Sequence, residues 1–250
     1  MSQPVQPVPV LANQAAAGSP ETWFDRAIMS GTAPLTRPEE VALIIIDMQN
    51  DFAHPDGVMG SVMNADMTAA REIIPRLRDL IGLAREAGAL IVYLQNVNLP
   101  LARSSSDAEI SRRVARETPP DITLKGSWGA DFVDLIQPQA GDPVIVKHRR
   151  SGFLHTDLDL VLRACHRTVA VCVGMATAAC VTATAIEAAQ RDYYCYVVSD
   201  CVGGYSAPLH DAALTVLRTQ VAGVVTAGEV AAAWTKDRPA ADKREQQDQG

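Results

Sequence analysis

Six short apolar runs recur through the middle of the chain: VALIIID (41–47), ALIVYLQN (89–96), DPVIVK (142–147), TVAVCVG (168–174), YCYVVSD (194–200) and AGVVTA (222–227). Each is continuous rather than alternating, as expected of parallel strands covered on both faces. The segments between them carry helical spacing, notably 68–87 (Leu77, Leu80, Ile81, Ala84), 157–164 and 178–191. Strand and helix in alternation predict an α/β fold of three layers around one parallel sheet. Two segments interrupt the alternation. Residues 97–128 form a long insertion with helical character around 107–117, and 201–209 (CVGGYSAPL) reads as a loop before another helix.

The pattern divides the chain into an N-terminal arm (1–38), a central domain (39–235) and a polar C-terminal tail (236–250). Residues 1–20 are rich in Pro, Ala and Gln and read as disordered. Residues 21–38 hold Trp23, Phe24, Ile28 and Met29, too apolar for a free tail, and are expected to pack on the body or on a neighbouring subunit. The tail reads as frayed.

In a parallel sheet the carboxyl ends of the strands gather loops and helix N-termini, so that edge carries function. Three strand ends there bear unusual residues. The first run stops on Asp47, and a buried carboxylate must be paired or hydrogen-bonded. It reads either as a structural acid holding the 47–52 loop or as part of a site. The third run ends on Lys147, followed by His148, Arg149 and Arg150. The fourth turns through Met175, Ala176 and Thr177 into a helix that begins near Cys180. A cysteine in a first helical turn is expected to have a lowered thiol pKa and to lie beside unpaired backbone N–H groups. An acid, an amine and a thiol at one edge suit nucleophilic catalysis: Asp47 takes the thiol proton, Lys147 holds both anions, and an oxyanion faces the 176–180 turn. Each residue also has an ordinary reading, Cys180 as a small buried hydrophobe and Lys147 as a surface lysine. Cys165, Cys172, Cys195 and Cys201 are read as buried and inert.

Composition narrows the classes. The 250 residues carry a formal net charge of −7, which argues against a nucleic-acid partner. No apolar run approaches the ~18 residues of a membrane span. No signal-peptide pattern opens the chain, and five cysteines without framework spacing fit reduced thiols, so the expected location is cytoplasmic. The five histidines, at 54, 148, 155, 166 and 210, are scattered without ligand spacing and read as surface or structural residues. Neither GxGxxG nor GxxxxGK[ST] occurs, so a nucleotide-binding module has no phosphate loop.

The segments IIIDMQNDF, KHRRSGF and GMATAACV, in this order and spacing, closely resemble those of the isochorismatase-like cysteine hydrolases. That superfamily includes nicotinamidases, N-carbamoylsarcosine amidohydrolases, biuret hydrolases and ureidoacrylate amidohydrolases. The resemblance covers about residues 38–235. It implies a three-layer αβα fold around a six-stranded parallel sheet and an Asp–Lys–Cys triad at Asp47, Lys147 and Cys180. It also implies a cis peptide at Met175–Ala176 and an oxyanion hole formed by the N–H groups of Ala176 and Cys180. The isochorismate-cleaving members lack this cysteine, so its presence implies amide or ureide cleavage. Nicotinamidases carry a metal-binding Asp-x-His after the second strand; here IVYLQNVNLP has neither residue, so no metal and no other cofactor is expected.

Within the superfamily, LKGSW (124–128) and Gln95–Asn96 are similar to the ureidoacrylate amidohydrolases, while Gln220 resembles a glutamine of biuret hydrolases. The loop after Asn50 and the presence of Arg150 depart from the ureidoacrylate pattern and leave the substrate open. Expected pocket residues are Phe52, Trp128 and Met175 as walls, Gln95, Asn96 and Gln220 as hydrogen-bonding groups for a ureido moiety, and Arg149 or Arg150 for a substrate carboxylate. The expected partner is a small amide or ureide, on a homo-oligomer, tetramer or dimer. Maleamate or nicotinamide deamidation, and a non-catalytic α/β binding module, are the alternatives.

Overall fold

The computed structural model describes residues 21–23 and 26–235. The expectations for 1–20, for Phe24 and for the 236–250 tail fall outside the described residues. The description opens with a two-stranded antiparallel hairpin, β1 (Glu21–Trp23) and β2 (Arg26–Ile28). Two 3-10 turns, Ala33–Thr36 and Pro38–Glu40, then lead into the main sheet. Residues 29–38 lie on the body: Leu35 is fully buried and the Gly31 carbonyl accepts a hydrogen bond from the Tyr196 hydroxyl.

The main sheet has six strands, all parallel: β3 (Val41–Ile46), β4 (Leu90–Asn96), β5 (Val144–Lys147), β6 (Val169–Met175), β7 (Tyr194–Gly203) and β8 (Gly223–Val225), in the order β5-β4-β3-β6-β7-β8. The topology is that of a doubly covered α/β sheet, as the six continuous runs predict. Alternation along β3 shows why its run is unbroken. Val41, Leu43 and Ile45 face a core with Leu77 of α2 (Thr68–Ala87), the helix that follows the single-turn α1 (Asn50–Ala53), and with Trp234 of α7 (Ala227–Thr235). Ala42, Ile44 and Ile46 face a second core, with Leu158 of α4 (Leu158–Ala164), Ala185 of α5 (Thr182–Gln190) and Leu217 of α6 (Ala207–Gln220). Both faces are apolar, so every position of the strand is apolar.

Two strands differ from expectation. β5 lies at the sheet edge, and Val144 and Val146 are exposed while Ile145 and Lys147 are buried, so this run is covered on one face only. β7 runs on to Gly203, taking in residues 201–203 that read as loop. Its register against β6 shifts between Cys172 and Gly174, a local irregularity that carries the strand farther toward the carboxyl edge.

Helix α2 occupies the expected span and ends on Gly88 at φ 84°, a left-handed C-terminal stop that glycine adopts without strain. The insertion after β4 folds over the carboxyl edge. Its helix, α3 (Asp107–Val114), is shorter than the sequence suggests. It begins with Ser106 Oγ accepting from the Glu109 N–H, and its first turn carries Asp107 and Glu109 while Arg112 and Arg113 sit in the last. These charges complement the helix dipole at both ends.

Candidate active site

Asp47 follows β3 directly and adopts φ 50°, a left-handed conformation that aspartate tolerates better than most residues. Its N–H donates to the Leu94 carbonyl at 3.2 Å, which ties it to β4. Asp47 is 1% exposed, and Lys147, the last residue of β5, is 0% exposed. The lysine Nζ donates to Asp47 Oδ2 at 2.8 Å and to the Arg149 carbonyl at 2.9 Å. The alternative reading of Lys147 as a surface lysine does not hold: the strand buries its stem and the carboxylate compensates its charge. Among the described residues Asp47 Oδ1 has no hydrogen-bond donor within bonding geometry.

The turn that carries Cys180 is built by close approach. Gly174, at φ 107°, pairs with Ile46, and a Cβ there would lie 2.2 Å from the Ile46 carbonyl oxygen. Glycine alone allows β6 to pass this near to the end of β3. The Met175–Ala176 peptide is cis. Beyond it the chain forms one wide turn, Thr177–Val181, in which the Ala176 carbonyl accepts from the N–H groups of Ala179 (2.9 Å) and Val181 (3.3 Å). Thr177 secures the turn from below, donating to the Gly203 carbonyl at 3.0 Å and meeting His210 Nδ1 at 2.9 Å.

The thiol of Cys180 interacts with both Asp47 and Lys147. Burial, then the Asp47 charge, push it up to about 12, and Lys147 opposes this only in part. The expected lowering by the helix N-terminus does not occur, because desolvation and a facing carboxylate outweigh the turn's dipole. Burial raises Asp47 above the ordinary carboxylate value, against the pull of Lys147. Burial also acts to lower Lys147, but Asp47 and Cys180 together hold it above its ordinary value, so the ammonium persists.

These groups sit at the base of a cavity of about 270 Å³ lined by Asp47, Phe52, Asn96, Arg150, Met175, Ala176 and Cys180 together with residues of the insertion. Phe52, Asn96, Arg150 and Met175 thus lie where the sequence reading put them. Four others do not. Gln95 points to the opposite side of β4 and donates to the Ala130 carbonyl at 2.8 Å, since successive strand residues face opposite ways. The Trp128 ring is 51% exposed and packs edge-on against His54 outside the cavity, while its carbonyl accepts from Asn50 Nδ2 at 2.8 Å. Arg149 Nη1 donates to the carbonyls of Ser104 and His148, both at 2.7 Å, and so braces the insertion. Gln220 is exposed at the last residue of α6, where the crossover has returned the chain to the amino edge of the sheet. Cys172, Cys195 and Cys201 are buried as expected, whereas Cys165 is partly exposed.

The polar residues after Asp47 have structural duties that the sequence did not disclose. Gln49, fully buried, bridges to Asn96: its Nε2 donates to the Asn96 and Ala130 carbonyls, and its Oε1 accepts from the Asn96 N–H, all at 2.8 Å. Asp51 accepts from the N–H groups of Thr123 (2.6 Å) and Val58 (3.1 Å). Together they fasten the insertion over the strand ends. The insertion supplies cavity residues that sequence reading missed, among them Asn98, Arg113 and Arg116, and the 201–209 region supplies Tyr205, whose hydroxyl donates to the Phe52 carbonyl at 2.7 Å. The helical character around 107–117 marked this segment as partly ordered, but nothing in it pointed to the cavity. Among the described residues no three His, Cys, Asp or Glu side chains cluster as metal ligands, and no helix is long and apolar enough to cross a membrane.

A six-stranded parallel sheet covered by helices on both faces, with an acid, an amine and a thiol together at its carboxyl edge, defines a three-layer α/β protein with a candidate nucleophilic site. The Isochorismatase domain family matches residues 41–229, and the chain belongs to that family of hydrolases. Ureidoacrylate amidohydrolase RutB from Serratia proteamaculans is 34% identical over 173 residues, covering 65% of this chain and 69% of the relative, and the RutB protein of Pantoea ananatis matches to the same extent. Among solved structures, a cysteine hydrolase from Pseudomonas syringae pv. phaseolicola shares the fold with a TM-score of 0.72 at 23% identity, covering 80% of this chain and 94% of that one. N-carbamoylsarcosine amidase from Thermoplasma acidophilum gives a TM-score of 0.60 at 28% identity, over 75% of this chain and 96% of that one.

Proposed function

We propose that this chain is a cysteine amidohydrolase that cleaves a C–N bond of a small carbamoyl or ureido compound through a covalent intermediate. One observation carries the reading: the buried Asp47–Lys147 pair, 2.8 Å apart, lies against the Cys180 thiol, and all but the lysine line one cavity. The names of the relatives, a ureidoacrylate amidohydrolase and an N-carbamoylsarcosine amidase, support the bond type.

The resting thiol is protonated, so attack and proton loss are linked. Cys180 Sγ adds to the substrate carbonyl carbon as its proton passes to Asp47, a better acceptor for being raised by burial. The carbonyl oxygen takes up the negative charge facing the N–H groups of Ala176 and Cys180. The tetrahedral adduct collapses, the C–N bond breaks, and Asp47 returns the proton to the departing nitrogen, releasing ammonia or an amine. Water then adds to the thioester or thiocarbamate, giving a proton to Asp47, and the second collapse restores the thiol. Lys147 remains an ammonium throughout, orienting Asp47 and offsetting charge on sulfur.

The test is a Cys180→Ala variant in an ammonia-release assay over ureidoacrylate, biuret, N-carbamoyl amino acids, maleamate and nicotinamide. The wild type is expected to turn over a ureide or carbamoyl compound, and the variant to lose at least roughly 10³-fold in kcat, as loss of a nucleophile does elsewhere, with an unchanged circular-dichroism spectrum. Hydrolysis that survives the substitution removes the nucleophile assignment.

A further inference from the structure

The sequence reads His210 as a surface or structural histidine, yet its ring is half-buried against the turn that carries Cys180. Of the five residues in that turn, Ala178, Ala179 and Val181 have no polar side-chain atom, and the Cys180 thiol faces Asp47 and Lys147. The Thr177 hydroxyl, fully buried, is therefore the side-chain group left to fix the turn against the rest of the fold. Its partners are the Gly203 carbonyl at 3.0 Å and His210 Nδ1 at 2.9 Å. These two flank one connection. Gly203 ends β7, and His210 is the fourth residue of α6, its N–H donating to the Ser206 carbonyl at 2.9 Å. Between them lies Tyr205, which lines the Cys180 cavity. One hydroxyl thus ties the cysteine turn to both ends of a segment that walls the cavity. The proton count fixes the direction of each bond. A carbonyl oxygen only accepts, so two oxygens 3.0 Å apart need the hydroxyl proton between them. The Thr177 oxygen then turns lone pairs to His210, and Nδ1–H is the donor.

We propose that His210 is a positioning residue for the Cys180 turn. By donating from Nδ1 it orients the Thr177 hydroxyl, and through it holds the turn so that the Ala176 and Cys180 N–H groups face the developing oxyanion. The inference rests on the amidohydrolase reading and adds a residue to the oxyanion side of that reaction. His210 does not line the Cys180 cavity, so its effect passes through Thr177. Donors aimed at an oxyanion act most strongly in the transition state, so misaiming them lowers kcat and leaves KM nearly unchanged.

The experiment compares His210→Leu with His210→Asn. The two replacement side chains have nearly the same shape, but only the amide places an N–H near the position of Nδ1. Ammonia release is measured with whichever of ureidoacrylate, biuret, N-carbamoyl amino acids, maleamate and nicotinamide the wild type hydrolyses, and rates are expressed per folded molecule from circular dichroism. Independently of turnover, nitrogen-15 NMR of the wild type at about pH 8 reads which ring nitrogen holds the proton, the His210 signals being those lost in His210→Asn. His210→Leu is expected to lose roughly 10- to 100-fold in kcat with KM within about 3-fold, less than the roughly 10²–10³-fold loss when an oxyanion donor is deleted outright. His210→Asn should stay within about 3-fold of wild type in both constants, and Nδ1 should carry the proton. Wild-type kcat in the leucine variant, equal losses in the two variants, a loss confined to KM, unfolding of either variant, or a bare Nδ1 each overturns the role. The failures are distinguishable. A wild type that hydrolyses its substrate while His210→Leu keeps pace removes the positioning role and leaves the hydrolase reading. A wild type that hydrolyses none of these compounds removes the hydrolase reading and, with no oxyanion to serve, this role with it.

Discussion

At the scale of single residues, the site was legible where a strand's end dictated the answer. Asp47, Lys147 and Cys180 each follow an apolar run on a parallel strand, so their convergence at one edge follows from topology. Side-chain direction was not legible. Gln95 and Asn96 are neighbours on β4, and the pleat allows only one of them to face the cavity; Arg149 and Arg150 lie in the bend after β5, where no strand period fixes their direction. The sign of the thiol shift was also beyond a local reading, because it depends on burial and on a carboxylate that is distant in sequence. With Cys180 pushed up to about 12, the resting thiol is protonated at pH 7. The absorbance difference at 240 nm between wild type and Cys180→Ser should therefore stay flat from pH 6 to pH 10 and rise only above that, while a step centred below pH 8 would contradict the buried-thiol description. In the proposed mechanism Asp47 must be ionised to accept the proton. Since its folded value lies above the ordinary 3.8, kcat/KM should be retained at higher pH and lost as pH falls through a value above 3.8.

At the scale of elements, strands and helices α2, α4 and α5 were legible from apolar periodicity, whereas the insertion was not. It has little apolar periodicity of its own, and it is held by buried polar side chains whose partners are backbone groups far along the chain. Asp51 is the clearest case, joining Val58 and Thr123 through one carboxylate. Gly129 makes room for it: a Cβ there would lie 2.2 Å from Asp51 Oδ2 and 2.3 Å from its Cγ. Asp51 is short and buried and cannot swing clear without releasing both N–H groups. Gly129→Ala is accordingly expected to cost about 2–3 kcal/mol, the range for a buried hydrogen-bond network disturbed at one point, and to raise KM as the insertion loosens. Urea unfolding and limited proteolysis are the measurements, with new cleavage expected between residues 97 and 128. A wild-type urea midpoint in this variant would show that Asp51 has slack that the geometry denies it.

At the scale of the whole molecule, the sheet separates stability from chemistry. Asp47, Lys147 and Cys180 lie at the carboxyl edge, while the crossover helices carry the chain back to the amino edge before each new strand. Helix α7 makes the last such return. Its penultimate residue, Trp234, is 5% exposed in the core that also holds Leu35 and Leu77, and the helix packs against α2 and the 33–36 turn. Trp234 thus joins the start of the described domain to its end, a role that sequence reading could not assign because Leu35 lies outside any periodic run. Among the described residues its indole N–H has no hydrogen-bond partner, so the ring's contribution there comes through apolar packing. Trp234→Ala should cost about 3–5 kcal/mol, the usual loss for a large buried aromatic, seen as a lower urea midpoint. Because the cavity left behind lies at the opposite edge from Asp47 and Cys180, kcat and KM of the folded fraction should remain within about two-fold of wild type, as for independent sites. A variant that kept its stability but lost turnover would mean that the two edges of the sheet are coupled, and the division of labour argued from the topology would fail.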